Sequence, residues 1–203
     1  SYDRMTLNYS IEISGNSVFD SPKLKTLENS VVILSGSSPE AVPGFRVQTL
    51  TSVVNTDFRY DVKGGQFQLN LDAKSMTGSI YVKSGKFVVN GDISGYEREV
   101  VLESSGPNSE LTVKQVWAPI LLGQFVRVSA IDGGRLTMDG QIINDAYADR
   151  PDGGIYLKAE SGGVLQSNAT WISGAILDVT PNSTIKLPNL VDGDFEQIRG
   201  YNG

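Results

Sequence analysis

The sequence predicts an all-β protein built as a parallel β-helix, a solenoid in which short strands stack coil upon coil. The first observation is the composition: the 203 residues include 22 glycines, 22 serines and 12 asparagines but only 9 alanines. Few alanines and many turn-forming residues favour strands joined by tight turns over helices. The other two observations are a repeat of 20 to 28 residues and an apolar pattern of period two within it.

The repeat consists of a turn of small residues followed by a short apolar strand, and it occurs six times. When the first apolar residue of each segment is aligned, the successive spacings are 20, 24, 25, 28 and 21 residues. A repeat of this length is typical of solenoids, in which no coil can bury its apolar side alone and neighbouring coils share one core. The aligned residues are Phe67, Phe87, Leu111, Leu136, Val164 and Ile185.

Within the repeats, apolar residues alternate with polar ones, as in Phe67, Leu69 and Leu71. Alternation with period two places one side of a strand in the core and the other in water. Glycine or asparagine between the strands supplies the positive φ angles that a sharp corner requires. Coils of this length fit about three short strands each, which favours the parallel β-helix. The alternative is an antiparallel β-sandwich or jelly roll, which also has short strands separated by turns.

The first part of the chain, residues 1–60, follows the repeat least closely, and we expect lead-in strands or the first coils there. Strands are predicted at residues 30–34 (SVVIL) and 45–54 (FRVQTLTSVV), with a loop at residues 35–43 between them. The β-branched and aromatic residues favour strand in the two runs, whereas serine, glycine and proline favour a loop.

The repeats occupy residues 61–189, and the pattern is lost in residues 190–203. Two insertions, at residues 118–124 and 144–154, are predicted to be corner loops. Residues 194–199 are predicted to form a short helix within a C-terminal cap or linker, because an uncovered last coil would expose a sheet edge.

The absence of histidine and cysteine excludes several kinds of site. His-based catalytic triads, His or Cys metal sites, disulfides and iron–sulfur clusters all require these residues. The net charge of −6 and the scattered basic residues argue against nucleic acid as a partner. The longest apolar run, residues 116–122 (VWAPILL), is far shorter than a membrane span, so none is predicted. We also predict no cofactor.

The corner-and-strand rhythm, as in DGGRLTMDG and KSGKFVVNG, resembles the right-handed parallel β-helices of phage tailspikes and tail fibres. It is also similar to bacterial autotransporter passengers and to polysaccharide lyases and hydrolases. The resemblance covers residues 63–187, about 60% of the chain. It lies in the repeated order of corner and strand and not in a specific motif. It implies work at a cell-surface polysaccharide, and for tailspikes it implies a homotrimer and a location on the virion or an extracellular surface.

One candidate catalytic site is the acidic insertion at residues 142–154, which contains Asp145, Asp149 and Asp152. Paired carboxylates, one acting as acid and one as base or nucleophile, are what glycoside hydrolysis requires. The structural alternative is ordinary turn chemistry, because aspartate beside proline and glycine is common in loops. The same oxygens suit calcium, but the spacing departs from the known calcium-loop patterns, so no metal site is predicted.

Four aromatic residues in the second half of the chain are candidate carbohydrate-binding residues: Trp117, Tyr147, Tyr156 and Trp171. Flat rings stack on sugar faces, and their polar edges hydrogen-bond hydroxyl groups. If the coils stack in register, aromatic residues one coil apart would form a ladder along a polysaccharide. The alternative for each is core packing or a subunit contact, and residues 116–122 could likewise belong to either.

The function predicted from these observations is surface recognition by part of a tailspike or tail fibre, which binds host glycan through a rigid, multivalent β-helix. We expect binding rather than catalysis. The first alternative is a polysaccharide-degrading hydrolase or lyase on the same fold. The second is an autotransporter-like adhesin or a structural spacer.

Overall fold

The computed structural model describes residues 4–6, 10–72, 76–94, 99–118, 125–144 and 154–200, and these contain strands but no helix. Every pairing recorded between the described strands is parallel. The strands are β1 (Arg4–Thr6), β2 (Ser10–Ser14), β3 (Val18–Ser21), β4 (Thr26–Glu28), β5 (Val31–Gly36), β6 (Gly44–Val47), β7 (Ser52–Val54), β8 (Asp57–Asn70), β9 (Ile80–Ser94), β10 (Val100–Ser105), β11 (Ser109–Ala118), β12 (Phe125–Ile131), β13 (Arg135–Met138), β14 (Ile142–Asn144), β15 (Gly154–Glu160), β16 (Val164–Ser167), β17 (Trp171–Val179), β18 (Thr184–Lys186) and β19 (Asp192–Gly200).

The strands stack into a β-solenoid of about seven turns with three faces, which confirms the predicted parallel β-helix. The antiparallel sandwich is wrong, because each strand leads round a corner to the next face instead of folding back on itself. Face one contains residues 10–14, 31–36, 57–62, 80–84, 100–105, 125–131, 154–160, 175–179 and 195–200. Face two contains residues 18–21, 44–47, 66–70, 86–90, 109–113, 135–138, 164–167 and 184–186, and face three contains residues 4–6, 26–28, 52–54, 92–94, 116–118, 142–144, 171–172 and 192–193.

We number the coils from the face-one strand that begins each, so that coil 1 begins at residue 10 and coil 8 at residue 175. The strands at residues 10–14, 31–36 and 57–62 stack on the same face-one sheet as the later repeats. The two predicted corner loops lie mostly outside the described residues. None of the described residues forms a helix of the length and hydrophobicity needed to cross a bilayer.

The corners use glycine and asparagine in left-handed conformations, as the sequence predicts. Asn29 and Asn55 both have a φ of 50°, and each precedes a face-one strand. The Nδ2 of Asn55 donates to the Oδ1 of Asn29 at 2.6 Å, which links the same corner in two successive coils. Between faces one and two, Gly64 and Gly85 have φ angles of 71° and 77°. A β-carbon would strain these positions, so the corner composition follows from backbone geometry.

The inward residues of face two form a continuous ladder that stacks from coil to coil, and this ladder corrects one part of the predicted alignment. Leu165, rather than Val164, pairs with Leu136 of the coil before and with Ile185 of the coil after. The spacings on either side of this residue therefore become 29 and 20 residues. Val164 and Leu165 are both apolar, and only stacking on Leu136 determines that Leu165 is the buried one.

The core is aromatic in coils 2 to 4 and aliphatic afterwards. The Phe87 ring is fully buried, with ring centroids of Phe67, Tyr60 and Phe58 at 5.0, 5.6 and 5.9 Å. Burial raises the pKa of the Tyr60 hydroxyl to about 12. The position of Tyr60 in the face-one ladder is later taken by the small residues Ser104 and Ala130.

The predicted helix at residues 194–199 is wrong, because these residues lie in β19, which adds a strand to face one and face three. Pairing with β17 supplies hydrogen bonds that a six-residue helix with no partner would lack. Most of this strand is exposed, including Ile198 at 66%, and the preceding Val191 is 87% exposed.

Candidate functional site

The outward side of face one carries a row of side chains that spans most of the solenoid. Ile33, Arg59, Tyr81, Glu103, Ser129 and Lys158 are successive Cα partners in neighbouring strands. Parallel strands lie about 4.8 Å apart, so each coil adds one side chain to the row at that interval. The row therefore places residues that are more than 20 positions apart in sequence side by side on one surface.

Groove one is an open depression of about 600 Å³ over coils 5 to 8 of face one. Its lining combines the apolar side chains of Val101 and Phe125 with Tyr156 and the charged Arg127 and Lys158. Apolar and aromatic surface beside hydrogen-bonding groups can accept a ligand that has both flat apolar faces and hydroxyl groups.

The cations of groove one are already paired with acids of the same groove. Arg127 Nε lies 2.6 Å from Glu99 Oε1, and Lys158 Nζ lies 2.5 Å from Glu160 Oε2. Ion pairs on an exposed sheet contribute about 1 kcal/mol or less to stability. Both cations of groove one are thereby offset, and Glu103 leaves its lining with a formal charge of −1.

Tyr156 is held in groove one by an acid of the next coil. Its hydroxyl donates a hydrogen bond to Asp178 Oδ2. Asp178 is only 5% exposed, and its second oxygen, Oδ1, is buried with no hydrogen-bond partner among the described residues. A buried carboxylate with one hydrogen bond depends strongly on that bond, since losing it leaves both oxygens unsatisfied. The contact fixes the tilt of the Tyr156 ring relative to the groove.

Groove two is a second depression, of about 420 Å³, on the same face over coils 2 to 5. Its lining includes Arg59, Asp61, Tyr81 and Lys83. Glu103 lines both grooves, so the two depressions meet at this residue. Together they form an axial trough, by which we mean grooves one and two joined at Glu103.

Glu103 lies between the two halves of the axial trough. Burial raises the pKa of the Glu103 carboxyl above its usual range, and the ammonium of Lys83 partly offsets this increase. Asp132 raises the pKa further, whereas Lys158 lowers it. Lys83 belongs to groove two and Lys158 to groove one, so the carboxyl interacts with a cation on each side.

The predicted aromatic residues are divided between two faces. Tyr156 lines groove one on face one. Trp171 lies on face three, is 41% exposed, and its backbone N–H donates to Gln141 Oε1 at 3.2 Å. Trp117 lies in β11 on face three, where it pairs with Ile143, and its side chain is outside the described residues. A shared ladder of Trp117, Tyr156 and Trp171 is therefore not formed.

The remaining predicted site residues, Asp145, Tyr147, Asp149 and Asp152, lie outside the described residues, and their proposed roles stay predictions. Within the described part of the chain, no group of three or more acidic side chains is placed to hold a metal ion.

Sequence reasoning missed most of the axial trough, namely Arg59, Tyr81, Lys83, Glu103 and Lys158. The signal that could have found them is the outward half of the alternating pattern. Once the inward residues of the repeats are aligned, the outward residues are aligned too. The acidic candidates lie together in one segment of the sequence, whereas the residues of the axial trough come from separate coils.

Comparisons of the chain with protein-family models, with known curated proteins and with solved structures found no match in any of the three.

Proposed function

We propose that this solenoid is a surface-recognition module that binds a cell-surface polysaccharide along the axial trough of face one. The observation that supports this proposal is the continuity of the two grooves, which together span coils 2 to 8 of one sheet. A trough of this shape suits an extended ligand, because each coil presents a further set of contacts about 4.8 Å along the axis.

The chemistry of the lining also supports a carbohydrate ligand. Tyr81 and Tyr156, one in each groove, are half-buried and offer rings beside polar side chains. A tyrosine ring packs against the apolar face of a sugar at low conformational cost. Because Tyr156 is held by Asp178, its ring is ordered before a ligand arrives, which lowers the entropy cost of binding.

The arrangement of acids favours binding over hydrolysis. The described acids that line groove one are Glu99, Glu103 and Glu160, and all three lie on the same sheet. Glu103 and Glu160 are two coils and two residues apart, which places their Cα atoms about 12 Å from each other. Hydrolysis needs two carboxyl groups about 5–9.5 Å apart on opposite sides of the bond. Two of the three acids are also in ion pairs.

The finer form of the proposal is a part of a phage tailspike or tail fibre, present as a homotrimer on the virion or an extracellular surface. Three parallel solenoids would present three troughs, and simultaneous occupancy raises avidity for a repetitive polysaccharide. Light scattering at micromolar concentration tests this assembly. A mass near three times 21.9 kDa supports it, and a monomer at all concentrations contradicts it.

The binding experiment uses a panel of bacterial surface polysaccharides, with affinity measured by biolayer interferometry for the wild type and three variants. We expect Tyr81→Ala and Tyr156→Ala each to weaken binding about tenfold, since stacked aromatic contacts are worth about 1 kcal/mol or more. Thr112→Ala, on the outward side of face two, is the matched control and should bind like the wild type. Equal affinity of all four proteins, or no binding to any member of the panel, would contradict the proposal.

A further inference from the structure

The two halves of the axial trough differ in whether their cations are in ion pairs. In groove one, Arg127 and Lys158 are each paired with a glutamate. In groove two, Arg59 and Lys83 are both exposed, and no ion pair is recorded for either among the described residues. A cation outside an ion pair keeps more of its attraction for a negatively charged ligand than a cation in direct contact with a carboxylate does.

Groove two also contains two acids, Asp61 and Glu103, so the formal charge of its lining is zero, which is one unit more positive than that of groove one. Asp61 accepts a hydrogen bond from the hydroxyl of Ser84 at 2.7 Å, which directs one of its oxygens to the corner of the coil. Glu103 lies at the junction of the two grooves, where Lys83 and Lys158 both act on it. Arg59 lies on the side of groove two away from Glu103, because Tyr81 is the Cα partner of both.

The backbone register places the two cations at a suitable separation for one sugar. Arg59 and Tyr81 are Cα partners, and Lys83 lies two residues beyond Tyr81 in the same strand. The Cα atoms of Arg59 and Lys83 are one coil apart along the axis and two residues apart along the strand. This corresponds to a separation of about 8 Å. Both side chains are long enough to converge on one anionic group next to the Tyr81 ring.

We propose that groove two binds the anionic substituent of an acidic polysaccharide, with Arg59 and Lys83 as its charged contacts and Tyr81 beneath the sugar ring. This inference rests on the proposed function and names the class of polysaccharide. Guanidinium and ammonium groups recognise carboxylate, sulfate and phosphate alike, and the guanidinium of Arg59 can bind them through two parallel hydrogen bonds.

The ligand is a linear chain that runs along the solenoid axis. From Ile33 in groove two to Ile176 in groove one, the axial trough crosses six coil steps, or about 29 Å. A chain laid along this path puts its charged unit in groove two and its following units over groove one, where both cations are in ion pairs. Short oligosaccharides that fill only one groove should therefore bind more weakly than longer ones.

The test compares each acidic polysaccharide of the panel with a neutral derivative of the same backbone. Carboxylates are reduced to alcohols, and sulfate or phosphate esters are removed, so the three sources of charge are distinguished. We expect acidic members to bind best and to lose at least tenfold in affinity when neutralised. Arg59→Gln and Lys83→Gln should each weaken binding of the acidic form about fivefold, as expected for a partly exposed charge contact.

The matched control is Arg135→Gln, which removes an exposed cation on face two and should leave the affinity unchanged. Affinity of the wild type should fall as salt rises, and the double variant Arg59→Gln/Lys83→Gln should show a flatter dependence. This inference is overturned if the charged and neutral forms bind equally, or if the double variant binds the acidic form as tightly as the wild type does. Either result leaves the proposal of polysaccharide binding intact. No binding to any form, by the wild type or the variants, overturns the proposed function and this inference with it.

Discussion

Replacing Phe87 tests whether the aromatic cluster of coils 2 to 4 organises the core. Its ring is fully buried and contacts the rings of Phe58, Tyr60 and Phe67. Phe→Ala substitutions in cores cost about 3–5 kcal/mol, and each aromatic contact adds about 0.5–1.5 kcal/mol beyond burial. We therefore expect Phe87→Ala to lower the free energy of unfolding by at least about 4 kcal/mol.

The milder variant Phe87→Leu separates volume from ring contacts. Leu111 is the Cα partner of Phe87 in the next coil and is also fully buried, so the ladder accommodates leucine at this register. We expect a loss of about 1–2 kcal/mol, because most of the volume stays and the ring contacts are lost. Val88→Ala, on the outward side of the same strand, should cost less than about 1 kcal/mol.

Urea denaturation followed by far-ultraviolet circular dichroism measures these differences. The dependence of the unfolding free energy on urea should keep the same slope in all four proteins, because the unfolded chain exposes the same surface. The reasoning would be refuted if Phe87→Ala cost no more than Val88→Ala, since the ring would then contribute no more than an outward side chain.

Three further predictions concern single positions. Gly163→Ala should lower the free energy of unfolding by about 1–3 kcal/mol, because the added β-carbon would lie 1.9 Å from a carbonyl oxygen of the preceding coil. The control is Gly200→Ala, whose β-carbon would have nothing within 4 Å and which should leave thermal stability unchanged. Burial raises the pKa of Glu103, so its ionisation opposes folding. Thermal melts should show Glu103→Gln stabilised at pH 7, and the gain should shrink as the pH falls through the raised pKa and be gone near the ordinary glutamate pKa of about 4.3. Tyr156→Phe removes the hydrogen bond that the buried Asp178 carboxylate accepts from Tyr156, its only one from the described part of the chain, and should cost about 1–3 kcal/mol in urea denaturation. A loss below about 0.5 kcal/mol would show that water or the backbone replaces it.

The sequence predicts the solenoid because burial acts on each coil in the same way. Phe67, Phe87, Leu111 and Leu136 each follow a corner of small residues, and all four stack in the ladder as predicted. The prediction fails at Val164, where a second apolar residue is adjacent and local pattern cannot choose between them. It fails again at residues 194–199, whose polar composition permits a helix until the strand edge of β17 is available for pairing.

The residues of the axial trough come from separate coils, so closeness in sequence does not identify them. Asp145, Asp149 and Asp152 were chosen because they are close together in sequence, whereas Arg59, Tyr81 and Glu103 are each 22 residues apart. The latter become neighbours only because the face-one strands pair in register. Tyr156 lines groove one, but nothing near it in sequence indicates its contact with Asp178.

By itself, the sequence determined the fold class, the length of the coils, the glycine and asparagine corners and the absence of His- or Cys-based chemistry. These properties are local, because each depends on the period of burial and on backbone angles within one coil. Only the tertiary structure decided which outward residues share a surface, which cations are paired and where the two grooves join. Those properties depend on the register between strands, which is set by how the inward side chains of successive coils pack against one another.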